Sequence, residues 1–391
     1  METVDRDCLK QLDSLLAASD QSWLFGAGVS IESNIPAMLP LTARVLARAK
    51  EDDGKKTGAV LDAVRAELRD DSHIEHVLSH LVDLAAIADR SKSQMVNVGG
   101  ASHKLDELRE AHAKVLTWIS ETIRWGYVPK EGETGERIGT YEKPIVRVDL
   151  HSAFVAALFN RSQAGVAERR RAVRFFTINY DTLVEDALAL GCIPYWDGFS
   201  GGALAFRVHR YGQAEPDSEY RAKVVKIHGS IDWQLGVDDR VWRVRDCDPY
   251  PKRVGPVLIF PQFTKYLATQ RDPFAAQFDL FRRALGSGGE NVLAICGYGF
   301  GDEHVNQEIE IALERPDNKT TILAFSRGIN ATLDRWRKST WGKRLYVITD
   351  SGLFVGDEGP HFAPPQGKKR DWWTFAGVTR ILSDGAEACS L

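Results

Sequence analysis

Apolar residues recur along this chain in two different rhythms. In residues 7 to 18, Leu9, Leu12, Leu15 and Leu16 fall at three- and four-residue spacing, which predicts a helix with one buried face. A short apolar run from Ser22 to Phe25 reads as a strand. After Pro36 the helical spacing returns, over Leu61 to Leu68, Ile74 to Ile87 and Leu105 to Trp125. Lys130 to Glu136 is polar and glycine-rich, as loops are, and residues 149 to 159 are helical again. From Val173 the rhythm changes. Val173 to Ile178, Val224 to Ile227, Val257 to Phe260, Val292 to Cys296, Thr320 to Phe325 and Leu345 to Ile348 are short, β-branched and mostly continuous apolar runs. Continuous hydrophobicity suits strands covered on both faces, the condition of a parallel sheet. Tyr195 to Lys223 has little period and reads as loop or short hairpin.

The expected fold class is therefore α/β: a Rossmann-like parallel sheet with a large helical insertion and no zinc module. The core is expected at 1–45 and 171–350, the insertion at 46–170, and a C-terminal tail at 351–391. The tail's aromatic group, Trp372, Trp373 and Phe375, is either a contact surface for an oligomer or partner, or core packing.

Composition narrows the function. With 391 residues, 43% of them hydrophobic, the chain can bury a large core. A net charge of −4 gives no global positive field, so direct nucleic-acid binding is not expected. The basic clusters Arg169-Arg170-Arg171 and Lys368-Lys369-Arg370 read as solvated faces or partner contacts rather than a DNA groove. Cys8, Cys192, Cys247, Cys296 and Cys389 form no C-x-x-C pair, which argues against a disulfide framework or zinc ribbon and fits a reducing cytoplasm. Met1 to Asp7 is charged, unlike a signal peptide, and no apolar run approaches the roughly 20 residues of a membrane span.

The candidate chemistry lies where strands end. Gly26-Ala27-Gly28-Val29-Ser30 follows Trp23-Leu24-Phe25, at the expected handover from strand to helix. Small residues there let backbone N–H groups approach an anion such as a pyrophosphate. Asn179, in Thr177-Ile178-Asn179-Tyr180-Asp181, stands at a strand's C-terminal end, where parallel sheets bind ligands, and Asp181 would begin the next helix. His228, in Lys226-Ile227-His228-Gly229-Ser230, repeats that placement and suits a general base. Gly297-Tyr298-Gly299-Phe300-Gly301-Asp302 follows another strand; its glycines would admit a ribose or adenine, and Asp302 would cap a helix carrying His304 and Asn306. His304 reads as helix surface. His73, His76 and His80 share one helical face, but one helix rarely completes a coordination shell, so no metal is expected. Gly54-Lys55-Lys56-Thr57 lacks the first glycine of a phosphate loop, and no G-x-S-x-G elbow occurs.

Together these motifs resemble the sirtuin superfamily over residues 22 to 306, most closely its bacterial sirtuin-like branch of antiphage defence systems. Gly26 to Ser30 is similar to the family's first NAD-binding turn, and Asn34-Ile35-Pro36 to its Gly-Ile-Pro. Ile74-Glu75-His76-Val77-Leu78 resembles a segment of that branch's insertion. The resemblance implies Asn179 and His228 as catalytic residues and NAD as substrate. It implies NAD contacts at Gly26, Ala27, Gly28, Ser30, Asp181, Gly297, Tyr298, Asp302 and Asn306. The departures are informative. The four zinc cysteines of the deacylases are missing, Ala37-Met38-Leu39 stands where Asp-Phe-Arg is usual, and Gly299 stands where serine is common. Asn34 stands in place of the usual glycine, a replacement that a left-handed backbone tolerates. The departures point toward hydrolysis of NAD to nicotinamide and ADP-ribose. An NAD-dependent deacylase, an ADP-ribosyltransferase and a non-catalytic NAD or ADP-ribose sensor are the alternatives. The resemblance also implies a cytoplasmic homo-oligomer and, as a possible partner, a HerA-type ring ATPase.

Overall fold

Strand β1 (Gln21–Phe25) sends Trp23 and Phe25 into one hydrophobic layer and Leu24 into another. That two-sided burial produces its continuous apolar pattern. The computed structural model describes residues 3–51, 56–132, 135–161, 171–216, 219–237, 240–245, 253–259, 273–286 and 289–389. Arg169, Arg170, Gly54, Lys55, Cys247 and Phe260, named above, lie outside the described residues.

The remaining strands are β2 (Met95–Val98), β3 (Ala101–Lys104), β4 (Tyr127–Val128), β5 (Arg137–Ile138), β6 (Val173–Thr177), β7 (Tyr195–Trp196), β8 (Phe199–Gly201), β9 (Leu204–Arg207), β10 (Ala222–Lys226), β11 (Gly229–Gly236), β12 (Val241–Val244), β13 (Arg253–Ile259), β14 (Val292–Cys296), β15 (Thr321–Phe325), β16 (Leu345–Thr349), β17 (Gly352–Val355) and β18 (Glu358–His361). Eight of them join β1 in one sheet, in the order β18-β17-β16-β15-β14-β1-β6-β10-β7. From β16 to β7 every pairing is parallel; β17 and β18 add an antiparallel edge. The Rossmann-like α/β expectation holds.

Helices cover both faces. Leu9 and Leu12 of α1 (Thr3–Leu16) and Phe154 of α6 (Asp149–Arg161) pack on the face that carries Trp23 and Phe175. Phe278 and Phe281 of α8 (Phe274–Leu285), Ile309 of α9 (Glu303–Glu314) and Trp336 of α10 (Ala331–Arg337) pack on the other. Between β6 and β7, α7 (Leu183–Leu190) completes the crossover.

Three expectations need correction. First, the insertion begins earlier and ends earlier than 46–170. Helices α2 (Met38–Glu51), α3 (Lys56–Glu67), α4 (Ile74–Arg90) and α5 (Leu105–Trp125) share a core of their own around Val45, Leu61, Leu81 and Val115, whereas α6 packs into the main core. Helical spacing shows that a face is buried but not against what. Second, the Val257 to Phe260 run enters β13, which pairs antiparallel with β11 in a separate five-stranded sheet, β13-β11-β12-β9-β8. A short apolar run looks the same in either kind of sheet. Third, residues after Ser351 are no detached tail. β17 and β18 extend the main sheet, and α11 (Phe375–Asp384) packs against α6. Trp372 is buried and donates from Nε1 to the Thr349 carbonyl, Phe375 is buried, and Trp373 is half-buried, so the aromatic group faces inward. Among the described residues, no helix is long and apolar enough to cross a membrane.

Candidate active site

Four strand ends meet at one level. Phe25 is in register with Cys296 on one side and Thr177 on the other, and Thr177 with Lys226. The turns that follow β14, β1, β6 and β10 therefore leave the sheet side by side. From β1 the chain order runs outward through β6 and β10; from β14 it runs the opposite way through β15 and β16. This reversal is a topological switch point, where open α/β sheets form a ligand crevice.

The glycines act first on each other's loops. Gly26 N–H donates to the Cys296 carbonyl at 3.1 Å and Gly28 N–H to the Gly297 carbonyl at 2.9 Å. A Cβ on Gly26 would lie 2.6 Å from both Gly297 O and Tyr298 Cα, and one on Gly297 would lie 2.4 Å from Val29 N. Gly297 also needs its left-handed φ of 65°. The glycines thus let two loops interlock, and the amides of Gly26 and Gly28 are already engaged. The expected helix does not start here either. Two short 3-10 turns, Ala27–Val29 and Ile31–Ser33, follow the glycines, and α2 begins only at Met38. Ala27, Gly299 and Gly301 are the exposed positions, and a Cβ on either of those glycines would meet nothing within 4 Å. Asn34 adopts the left-handed conformation, φ 64° and ψ 28°, that lets it stand in place of the motif's glycine.

A polar chain runs inward from there. Asn179 Nδ2 donates to the Gly26 carbonyl at 3.1 Å and to Ser30 Oγ at 3.2 Å. Ser30 Oγ in turn donates to Asp181 Oδ2 at 2.8 Å. Asp181 Oδ1 accepts from Leu183 N–H at 3.1 Å, which ties the carboxylate to the start of α7. Because a carbonyl can only accept, the Gly26 contact fixes which way the Asn179 amide faces. Its Oδ1 is buried and has no hydrogen-bond partner among the described residues. Beneath the chain, Lys226 Nζ donates to the Asp181 carbonyl and lies 3.5 Å from Glu185 Oε1. Burial pushes the Glu185 carboxyl up to about 7, with Lys226 opposing the rise.

His228 is buried, and its Nε2 lies 2.8 Å from Asp302 Oδ2. Asp302 Oδ1 accepts from the His304 and Val305 amides at 3.0 and 3.3 Å, capping α9 as its sequence position suggests. The His228–Asp302 pair was not legible in the sequence, because nothing local joins the two motifs. Tyr298 and Asn306 organise their own loop: the Tyr298 hydroxyl is 3.0 Å from both the Asp302 carbonyl and Asn306 Oδ1, while Asn306 Nδ2 donates to the Phe300 carbonyl at 2.8 Å. Both side chains are buried.

Ala27, Ser30, Asn179, Asp181 and His228 line one cavity of about 100 Å³, roofed by Ile35, Met38, Leu41 and Ile123. Glu75 of the insertion joins the same wall. It is 3% exposed, and its Oε1 accepts from the Tyr180 hydroxyl at 2.5 Å. Burial and the Glu75 charge push the Tyr180 phenol upward, so it stays a donor. Sequence reasoning missed Glu75 as a site residue; the available signal was an acid within the otherwise apolar stripe Ile74, Val77, Leu78 and Leu81. A second cavity of about 360 Å³ adjoins the first across Asp181, Ile35 and Ile123, with Arg124, Asp186, Asp232 and Arg245 on its wall.

The histidines of α4 are used locally. His73 N–H donates to His76 Nδ1 at 3.0 Å, and His80 Nε2 lies 3.1 Å from Glu67 Oε2. Among the described residues, no group of three or more His, Cys, Asp or Glu side chains is placed to hold a metal ion.

Residues 173–345 match the family model of the SIR2-like domain. No curated protein matches the chain. The matched segment contains Asn179, Asp181, His228 and the Gly297 to Asp302 loop, while the Gly26 to Ser30 turn and the helical insertion lie outside it. SIR2-like domains typically belong to NAD-dependent enzymes, so the match connects this site with NAD chemistry in general.

Proposed function

We propose that this chain, which carries a SIR2-like domain, is an NAD+ glycohydrolase that releases nicotinamide and ADP-ribose. The observation that carries the reading is the meeting of Asn179 and His228 in one buried cavity, at the switch point where such a sheet binds nucleotides. The pocket beside Asn179, at about 100 Å³, takes one small part of a dinucleotide rather than the whole of it.

In the reaction, the bond between ribose C1′ and the nicotinamide nitrogen breaks. The electron pair goes to the nitrogen, and nicotinamide leaves neutral. Positive charge remains on the ribose, and a water oxygen attacks C1′. His228 takes the proton that this water loses, with Asp302 holding the imidazole in one orientation. Asn179 Oδ1 accepts a hydrogen bond from the water or a ribose hydroxyl. It is a fixed acceptor because Nδ2 is pinned by Gly26 and Ser30.

The test is the full chain with NAD+ alone and no peptide acceptor, with nicotinamide followed by chromatography. The wild type should release nicotinamide. Asn179→Ala and His228→Ala should lower turnover by about 100-fold or more, the usual contribution of a positioned acid or base, while retaining a cooperative melt. Wild-type turnover in both variants would refute the reading.

A further inference from the structure

We propose that Glu75, supplied by the helical insertion, is a catalytic carboxylate of this cavity, facing the positive charge that develops on the ribose as nicotinamide leaves. The inference rests on the glycohydrolase reading and adds a residue that the core does not provide.

Cleavage of a glycosidic bond passes through an oxocarbenium-like state. A fixed negative charge in a desolvated site stabilises such a state far more than it would in water. Two carboxylates line the cavity, Asp181 and Glu75. Asp181 already accepts from the Ser30 hydroxyl and the Leu183 amide, and it serves to hold the Asn179 chain. Glu75 is the buried acid of α4; Asp83 and Asp89 on the same helix are exposed. Its Oε1 is held by the hydroxyl of Tyr180, the residue between Asn179 and Asp181. The carboxyl group is therefore tied to the loop that carries Asn179 and Asp181. Burying a carboxylate is costly, and a neutral residue would tether the helix equally well. A charge kept at a cavity wall shared with Asn179 and His228 has electrostatic work to do. No bond to Glu75 forms: the electron pair goes to nicotinamide, and the proton of the attacking water goes to His228.

The experiment compares the full chain with Glu75→Gln and Glu75→Ala. Glutamine keeps an oxygen to accept from Tyr180, so the tether survives and only the charge is lost. Glu75→Gln should lower kcat for nicotinamide release about 100-fold, with KM for NAD+ within about threefold and the melting temperature unchanged, as expected for an interaction made in the transition state. Glu75→Ala should be similarly slow and be partly restored by added formate, a small carboxylate; a purely structural role would not produce that rescue. Wild-type kcat in Glu75→Gln would overturn the proposal while leaving the glycohydrolase reading intact. A wild-type chain that releases no nicotinamide would remove both.

Discussion

At the residue scale, Asp302 does two jobs with two oxygens. Oδ1 caps α9, and Oδ2 holds His228. The two roles can be separated chemically. Asparagine is as good an N-cap as aspartate, so Asp302→Asn should keep the helix end. Its Oδ1 can serve only the cap, which leaves an amide N–H facing Nε2, and the imidazole must change tautomer or turn. Asp302→Ala loses both contacts. The expected result is that Asp302→Asn unfolds within about 0.5 kcal/mol of wild type and Asp302→Ala about 1 kcal/mol lower. Both should release nicotinamide at least about tenfold more slowly. Denaturant melts and steady-state rates check this; wild-type kinetics in Asp302→Asn would show that His228 needs no such partner. The cap was legible because a cap is local: an acid one residue before a helix. The His228–Asp302 contact was not, because it exists only once β10 and β14 have been brought to the same edge. Asn34 is the converse case. Its left-handed backbone follows from its place in a motif that prefers glycine, and the structure shows it.

At the element scale, α6 shows how periodicity identifies a helix but not its neighbours. Its span was readable, yet its packing on α11 was not. His151 records that packing. It is 1% exposed, its ring centroid is 4.8 Å from that of Phe375, and its Nδ1 is 3.4 Å from Ser33 Oγ beside the site. Burial lowers its pKa from 6.5 to about 4. The folded value is depressed, so the folded state favours the neutral ring. The associated stability is complete above pH 6.5 and is lost as pH falls toward 4, on the order of 3 kcal/mol in all. His151→Leu removes this term. Denaturant midpoints measured from pH 7.5 to pH 4 should fall more steeply for wild type than for His151→Leu; parallel curves would contradict the assignment. The five-stranded sheet was the least legible element. Its strands β8 and β9, three and four residues long, sit in a stretch with little period.

At the scale of the whole molecule, the strand-end motifs were readable because each is a short sequence after an apolar run, and a parallel sheet must bring such ends to one side. What the sequence could not show is how the ends of the chain close the core behind them. Trp372, Phe375, Val378, Ile381 and Leu382 are each at most 4% exposed. They pack with Leu9, Leu12 and Phe154 under the same sheet that carries the site. Fully burying one such side chain contributes about 1.5–3 kcal/mol. Five together approach about 10 kcal/mol, comparable with the roughly 5–15 kcal/mol net stability of a typical domain. A chain ending at Arg370 should therefore fail to keep its native core. Its near-UV dichroism should collapse, its thermal transition should lose cooperativity, and nicotinamide release should disappear with the fold. An alternative in which residues 371–391 serve only as a contact surface makes a different prediction: the truncated chain would melt cooperatively near the wild-type temperature and change only its size in solution. The inward placement of Trp372 and Phe375, with Trp372 Nε1 donating to the last residue of β16, decides for loss of the fold.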